Sequence, residues 1–252
     1  MSVQTLIATT NQHDHSLLEK MNIQSNAIVG NQTDYDLIEH FSYRGNDILF
    51  LSFNEIGVGL NRNNALMRAN ADYCLFADDD LIYLDNYVEI VENAFSDLPK
   101  ADVIIFNLIE DNSSRFQINR IRRVHFYNYL RYGTARIAVR LKPIKEHGIL
   151  FNLSYGGGTA HCHGEDNLFL TDCLKKGLRI YAVPYPIAIL TNERESTWNT
   201  GYDYKYLMDQ GALYREISRY FSRCLCLADA IKHHNAYDLS IWSAYRAMTK
   251  YY

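Results

Sequence analysis

Proline is scarce in this chain, 4 in 252 residues, and cysteine is few and odd in number at 5. Cys224 and Cys226 stand two apart, the wrong spacing for a Cys-x-x-Cys redox or metal pair. An odd set without a regular framework fits reduced thiols in a reducing compartment and not a disulfide scaffold. Long apolar runs are missing too: no stretch approaches the roughly 20 residues needed to cross a bilayer. The opening Met1-Ser2-Val3-Gln4-Thr5 lacks the basic flank of a secretory signal, so a cytoplasmic protein is expected. There is no excess of positive charge, the formal net charge being -4 and the pI about 6.1. A general attraction to nucleic acid is therefore excluded, and any affinity for an anionic surface must come from a local patch. Internal repeats and low-complexity linkers are also missing.

What is present suffices for one substantial core, since 48% of the residues are hydrophobic. Tyrosine is plentiful at 20 residues, which suits sugar sites and half-buried strands alike. Over the first third of the chain short β-rich runs alternate with helical patterns, the signature of βαβ units feeding a mainly parallel sheet. Strands are predicted at 5–9, 26–29, 48–52, 73–77 and 103–108, with helices at 16–21, 35–41, 61–69 and 86–95. Further on, a glycine-rich segment at 156–158 precedes a helix at 165–176, two short strands near Ile180 and Ala188, and two C-terminal helices. Ligands of open α/β sheets settle at the carboxyl ends of strands. Thr9-Thr10-Asn11, Asn31-Gln32-Thr33 and Asp78-Asp79-Asp80 follow three of the strands and are the first candidates for a nucleotide pocket.

Three segments carry chemistry. Asp78, Asp79 and Asp80 come directly after a buried strand, where their mutual repulsion is costly unless a cation sits among them. Mg²⁺ or Mn²⁺ takes such oxygen ligands and bridges them to substrate phosphates. On an extended backbone Asp78 and Asp80 share one side and Asp79 points away, which makes Asp80 the leading ligand and Asp78 a contact to metal or ribose. An acidic turn capping the helix that begins at Asp85 or Asn86 is the simpler reading of the same residues. The second segment, Gly57 to Leu66, leads into a helix that ends just before this strand, so Arg62 is expected to face a diphosphate with paired hydrogen bonds. The third, Gly164-Glu165-Asp166, opens a helix closed by Lys175-Lys176-Gly177. Helix-end charges alone could account for its acids.

In order and spacing these segments resemble the family 2 glycosyltransferases of the GT-A fold, over roughly residues 3 to 200. The resemblance implies a nucleotide-sugar-binding α/β domain at 1–200, with a donor half at 1–110, an acceptor half at 111–200 and a C-terminal helical extension at 201–252. By it, Asp78 and Asp80 match the ends of a DXD motif binding manganese or magnesium, with Asp79 between them at the donor. Thr9 matches a nucleotide contact, Asp166 the base that deprotonates the acceptor hydroxyl, and Glu165 its support. The activity implied is inverting transfer of a sugar, a UDP-sugar first, to a glycan or lipid-linked acceptor in bacterial surface polysaccharide synthesis. Where the family commonly has an Asp reading uracil, this chain has Asn31 and Gln32, whose amides can also hydrogen-bond a base. Some relatives place a late histidine near the metal; Ile189-Leu190-Thr191-Asn192 offers none.

Other features remain. His161, Cys162 and His163 hint at zinc, but adjacent ligands rarely surround one ion and no second pair lies nearby in sequence, so ordinary loop histidines are expected. No acid occurs between Asp111 and Glu146, a span rich in Arg115, Arg120, Arg122, Arg123, Arg131, Arg136, Arg140, Lys142 and Lys145 and in aromatic rings. Arg215, Arg219 and Arg223 are expected as a stripe on one later helix. Both could meet anionic headgroups on the inner membrane face or a pyrophosphate-linked acceptor, or could be solvated faces. Two rivals to transfer are a sugar nucleotidyltransferase, though Thr9 to His13 lacks its basic glycine-rich loop, and a non-catalytic nucleotide-sugar-binding protein.

Overall fold

The computed structural model describes residues 1–110, 116–191 and 202–250; Arg115, Asn192 and the expected domain boundary at 200 and 201 lie outside them. In chain order the elements are β1 (Val3–Thr10), α1 (Ser16–Lys20), β2 (Asn26–Gln32), β3 (Leu37–Tyr43), β4 (Asn46–Phe53), α2 (Val58–Arg68), β5 (Tyr73–Asp78), β6 (Leu81–Tyr83) and α3 (Tyr87–Asp97). They continue with β7 (Val103–Ile109), β8 (Arg122–Val124), a 3₁₀ turn (Thr134–Arg136), β9 (Ile137–Arg140), α4 (Leu141–Glu146), α5 (Glu165–Lys175), β10 (Ile180–Leu190), α6 (Tyr204–Ile217), α7 (Ser222–Lys232) and α8 (Ile241–Met248).

One sheet of ten strands runs β3-β4-β2-β1-β5-β9-β7-β10-β6, with β8 beside β10. β1, β2, β4 and β5 are mutually parallel. β5 and β7 both run against β9, which gives them a common direction, and β10 is parallel to β7. The predominant direction is thus shared by the strands that carry the candidate residues. The central strands are buried on both faces, and side chains alternate between two cores with period two. On β5, Tyr73, Leu75 and Ala77 join the core under α1 and α3, while Cys74 and Phe76 join the one under α2, α4 and α5. A third core, with Leu207, Leu213, Tyr214, Cys226, Ala244 and Met248, packs the last three helices against Tyr155 and Leu168.

Three sequence expectations are corrected. Residues 35–41 do not form a helix: Leu37 to Tyr43 pair one for one with β4 through a tight Arg44-Gly45 turn, both residues having positive φ (51° and 82°). That two-residue turn matches the twist of a hairpin, and pairing overrides the helical pattern. The two strands near Ile180 and Ala188 are one strand of 11 residues whose register against β7 shifts around Pro186, as expected where a ladder donor is missing. The C-terminal segment has three helices, and Arg215, Arg219 and Arg223 share no single one. Ser218 turns extended (φ -154°) and ends α6, leaving Arg219 in the connection and Arg223 on α7.

Much of the basic segment also folds inward. Arg136 is buried and donates to the carbonyls of Phe106 and Phe116. Arg122 and Arg131 stack on Phe116, and Arg140 on Tyr73 and Phe95. Lys145 donates to the carbonyls of Met67 and Ala69 at the end of α2. Most of this arginine–aromatic interleaving is therefore packing.

Candidate active site

The carboxyl ends of β1, β2 and β5 meet α2 and α5 at one sheet edge. Gly57 (φ 124°) caps the start of α2, and its amide N–H donates to Gln32 Oε1 at 2.7 Å. The Arg62-Asn63 motif has a local reason on each side. Asn61 fills the space left by the missing side chain of Gly30, whose added Cβ would lie 2.6 Å from the amide. Asn63 clamps Phe151 through both backbone groups at 2.8 and 2.9 Å. Between them Arg62 points into the cleft, only 5% exposed.

Its guanidinium joins the two acidic segments, with Nη2 donating to Asp78 Oδ1 at 2.5 Å and Nη1 to Glu165 Oε1 at 2.8 Å. Burial works against the charge, but the two carboxylates more than offset it and hold Arg62 protonated well above the usual arginine value. Arg62, expected to face a diphosphate, directs its fork to two protein carboxylates at the wall of the cleft. Gly156 makes room for the arrangement. A Cβ there would come 2.8 Å from the Glu165 carboxyl, and the residue has φ 98°.

Asp166 follows Glu165 on the first turn of α5. Its Oδ1 accepts from the Asn167 backbone and side-chain amides at 2.6 and 2.9 Å, while Oδ2 lies towards Gly133. Burial, with the neighbouring Glu165 charge, pushes its carboxyl up to about 7; the Asn167 bonds and Arg62 act in the opposite sense. Two cavities meet at Asp166. One, about 630 Å³, is lined by Arg62, Asp78, Glu110, Tyr132, Glu165 and Asp166. The other, about 660 Å³, opens over α6 and α7 between Tyr127, Arg131, Tyr206, Asp229 and Lys232.

Asp79 and Asp80 face elsewhere. They line a smaller cavity of about 310 Å³ with Gln12, Ser16, Lys20 and Thr191. β5 ends at Asp78, and Asp79-Asp80 form the turn into β6, where the strand alternation used to pair Asp78 with Asp80 no longer holds. Thr9 Oγ1 donates to Asp79 Oδ2 at 2.6 Å and accepts from Gln12 Nε2 at 3.0 Å, placing Thr9 beside the acidic turn. Thr191 lies at the end of β10, where its backbone and hydroxyl both donate to the Asp80 carbonyl at 2.9 Å. Asn31, expected to contact a base, turns inward. It is fully buried, and its amide holds both backbone groups of Gln12 or donates to Ser52, so it shapes the loop from behind.

The three aspartates do not close a cage, for the only three-residue metal-type cluster among the described residues is Cys162, His163 and Asp209. An open pair of carboxylates on a polar cavity nonetheless fits Mg²⁺ or Mn²⁺, which take one or two protein oxygens and leave the rest to water and phosphate. Tyr206, Lys20 and Gln12 were not found from sequence. They reach the cavities from helices and loops whose placement only the fold determines.

The Glycosyl transferase family 2 model matches residues 31–154, a span that holds Arg62 and all three aspartates. No curated protein matches the chain. Among solved structures, Staphylococcus aureus TarS 1–349 in complex with UDP-GlcNAc aligns with TM-score 0.62 at 16% identity, covering 100% of this chain and 71% of that one. The same protein with UDP gives 0.58 at 16% identity and 100% and 70% coverage. A further TarS structure gives 0.61 at 16% identity, of which 43% is covered. At that identity the likeness speaks for the fold, which is of GT-A type. Over residues 31–154, just under half of its length, the chain matches the glycosyl transferase family 2 model.

Proposed function

We propose that the protein moves a sugar, with inversion, from a nucleoside-diphosphate donor, a UDP-sugar first among them, to a hydroxyl of a glycan or lipid-linked acceptor. The observation that carries this reading is the coupling of Asp78, Arg62, Glu165 and Asp166 along one cavity that continues past Asp166 over the C-terminal helices. Donor and acceptor would meet at Asp166 from opposite sides. The neighbours solved with UDP and UDP-GlcNAc have the same fold, which favours a uridine donor and, with it, a role in surface polysaccharide assembly.

In this reading Asp166 Oδ2 accepts the acceptor proton as the hydroxyl oxygen bonds to the anomeric carbon and the bond to the nucleoside diphosphate breaks. A carboxyl with pKa near 7 is a stronger base than an ordinary aspartate and is still ionised in slightly alkaline solution. Glu165, tied to Arg62, fixes the first turn of α5 and hence the reach of Asp166. Asp80 would hold Mn²⁺ or Mg²⁺, with Asp79 on the same cavity and Asp78 anchored by Arg62 between the two sites. The ion, when bound, would supply charge neutralisation for the departing diphosphate. Gln32 and Thr9 would contact the base and ribose of the donor. Any contact with anionic lipid would fall to the arginines and lysines of the 116–145 segment and the C-terminal helices that remain exposed.

A thermal-shift panel of nucleotide-sugars with and without Mn²⁺ tests the reading, because a ligand that binds only the folded state raises the melting temperature. One nucleotide-sugar should shift it only with the metal present. No shift from any nucleoside diphosphate or its sugar would overturn the proposal.

A further inference from the structure

We propose that Cys162, His163 and Asp209 form a zinc-type metal site that ties the loop ahead of α5 to α6. Their ligand atoms all lie within 4.8 Å of one another, and Cys162 Sγ stands 3.2 Å from His163 Nδ1. Tetrahedral zinc, with ligands at about 2.0–2.3 Å, sets such atoms roughly 3.5 Å apart, so little movement is needed. Adjacent Cys and His can share an ion here because His163 turns the ring nitrogen nearer its backbone towards the Cys162 sulfur. The third ligand is 46 residues beyond His163 in sequence, which is why spacing does not reveal it.

The orientation of His163 is an independent pointer. Its Nε2 is 2.8 Å from Gln210 Oε1, an acceptor, so the proton sits on Nε2 and the Nδ1 lone pair faces the thiol. Metal-binding histidines commonly donate their other ring N–H to such an oxygen. The ring is further held by stacking on Tyr206 at 4.4 Å. Asp209 is oriented in the same way: it is 4% exposed on its side chain, its Oδ1 is 2.9 Å from His161 Nδ1, and His161 itself stacks on Tyr155. Burial and the Asp209 bond push the Cys162 thiol up to about 11, so metal binding would release its proton to solvent as the thiolate forms.

A cation already occupies this carboxylate. Lys205 Nζ donates to both Asp209 oxygens at 2.6 and 2.7 Å, from a side chain 55% exposed. The same ammonium donates to the Ala160 carbonyl at 2.8 Å, but its half-exposed side chain can turn to solvent, so the lysine competes with the metal and does not bar it. The site lies two residues before Glu165 and would fix the start of α5, while standing apart from the Asp80 cavity and from the donor reading above.

Cobalt titration of the full chain in excess Mg²⁺ tests the site, since Mg²⁺ occupies oxygen-only positions and leaves a thiolate site to Co²⁺. A sulfur-to-cobalt charge-transfer absorption should appear with one ion per chain and vanish in Cys162→Ser. Gln210→Ala should weaken cobalt binding by about tenfold, the usual loss when a supporting hydrogen bond is removed. Lys205→Met should tighten it, an outcome that misfolding cannot imitate. No charge-transfer absorption in the wild type, or one unchanged in Cys162→Ser, or unaltered affinity in Lys205→Met, would overturn the assignment.

Discussion

Arg62 on α2 and Glu165 on α5, 103 positions apart, share a 2.8 Å hydrogen bond inside the cleft, and the same guanidinium holds Asp78 at the end of β5. Removing one member of a buried ionic network leaves the others charged without compensation, typically costing about 3–5 kcal/mol. Arg62→Ala should lower stability by that order in urea unfolding. Arg62→Lys should recover only part of it, since one ammonium cannot reproduce a fork that meets two carboxylates. A stability loss below about 0.5 kcal/mol in the alanine variant, the range of ordinary surface changes, would show that the link carries no structural weight.

The raised carboxyl of Asp166 predicts a pH signature in stability. Its folded pKa, about 7, exceeds the ordinary 3.8, so the folded state holds the proton more tightly and folding loses stability as pH rises between those values. Asp166→Asn removes the ionisation. The variant should therefore gain melting temperature over wild type at pH 8 and gain little or nothing near pH 4. Equal differences at both pH values would mean that the carboxyl is not perturbed in the folded protein.

Asp80→Asn removes a charge from the acidic turn without touching the Arg62 bonds. Donor-induced thermal stabilisation should then lose its dependence on Mn²⁺, while the melting temperature of the protein alone stays within about 2–4 °C of wild type, a shift of roughly 1 kcal/mol for a chain of this size. Retained manganese dependence would move the metal away from this turn.

Gly211 on α6 is a packing test for the helical extension. A Cβ there would lie 1.8 Å from the backbone carbonyl oxygen of Met248, so Gly211→Ala must push α8 away from α6. Overpacking of this kind costs about 1–3 kcal/mol. Limited proteolysis should open the segment after α6 in the variant first. Unchanged resistance would show that the two helices separate without strain.

The order of βαβ units was legible because central strands are apolar on both faces, and Ile48 to Ser52 or Tyr73 to Ala77 can hardly be anything else. The candidate segments stood out in different ways: Asp78 to Asp80 by their place at a strand end, Arg62 and Glu165-Asp166 by their place at helix starts together with the family resemblance. Their partners did not. Whether Arg62 faces a ligand or another protein charge depends on how α5 lies against α2, which nothing local to either helix encodes. Asn31 looked like a base reader because it ends a strand; its burial comes from the Gln12 loop folding over it. The hairpin at Leu37 to Tyr43 misled because a partly exposed edge strand has a blurred pattern, and its pairing with β4 is a tertiary fact.

The most direct test is the pH dependence of single-turnover transfer by wild type and Asp166→Asn, using the donor that thermal shift identifies. The account predicts a wild-type rate that climbs with pH, levels off above about 7, and falls about 10²–10⁴-fold with loss of the pH dependence in the variant. A variant that transfers at the wild-type rate, or a wild-type rate indifferent to pH across this range, would contradict it.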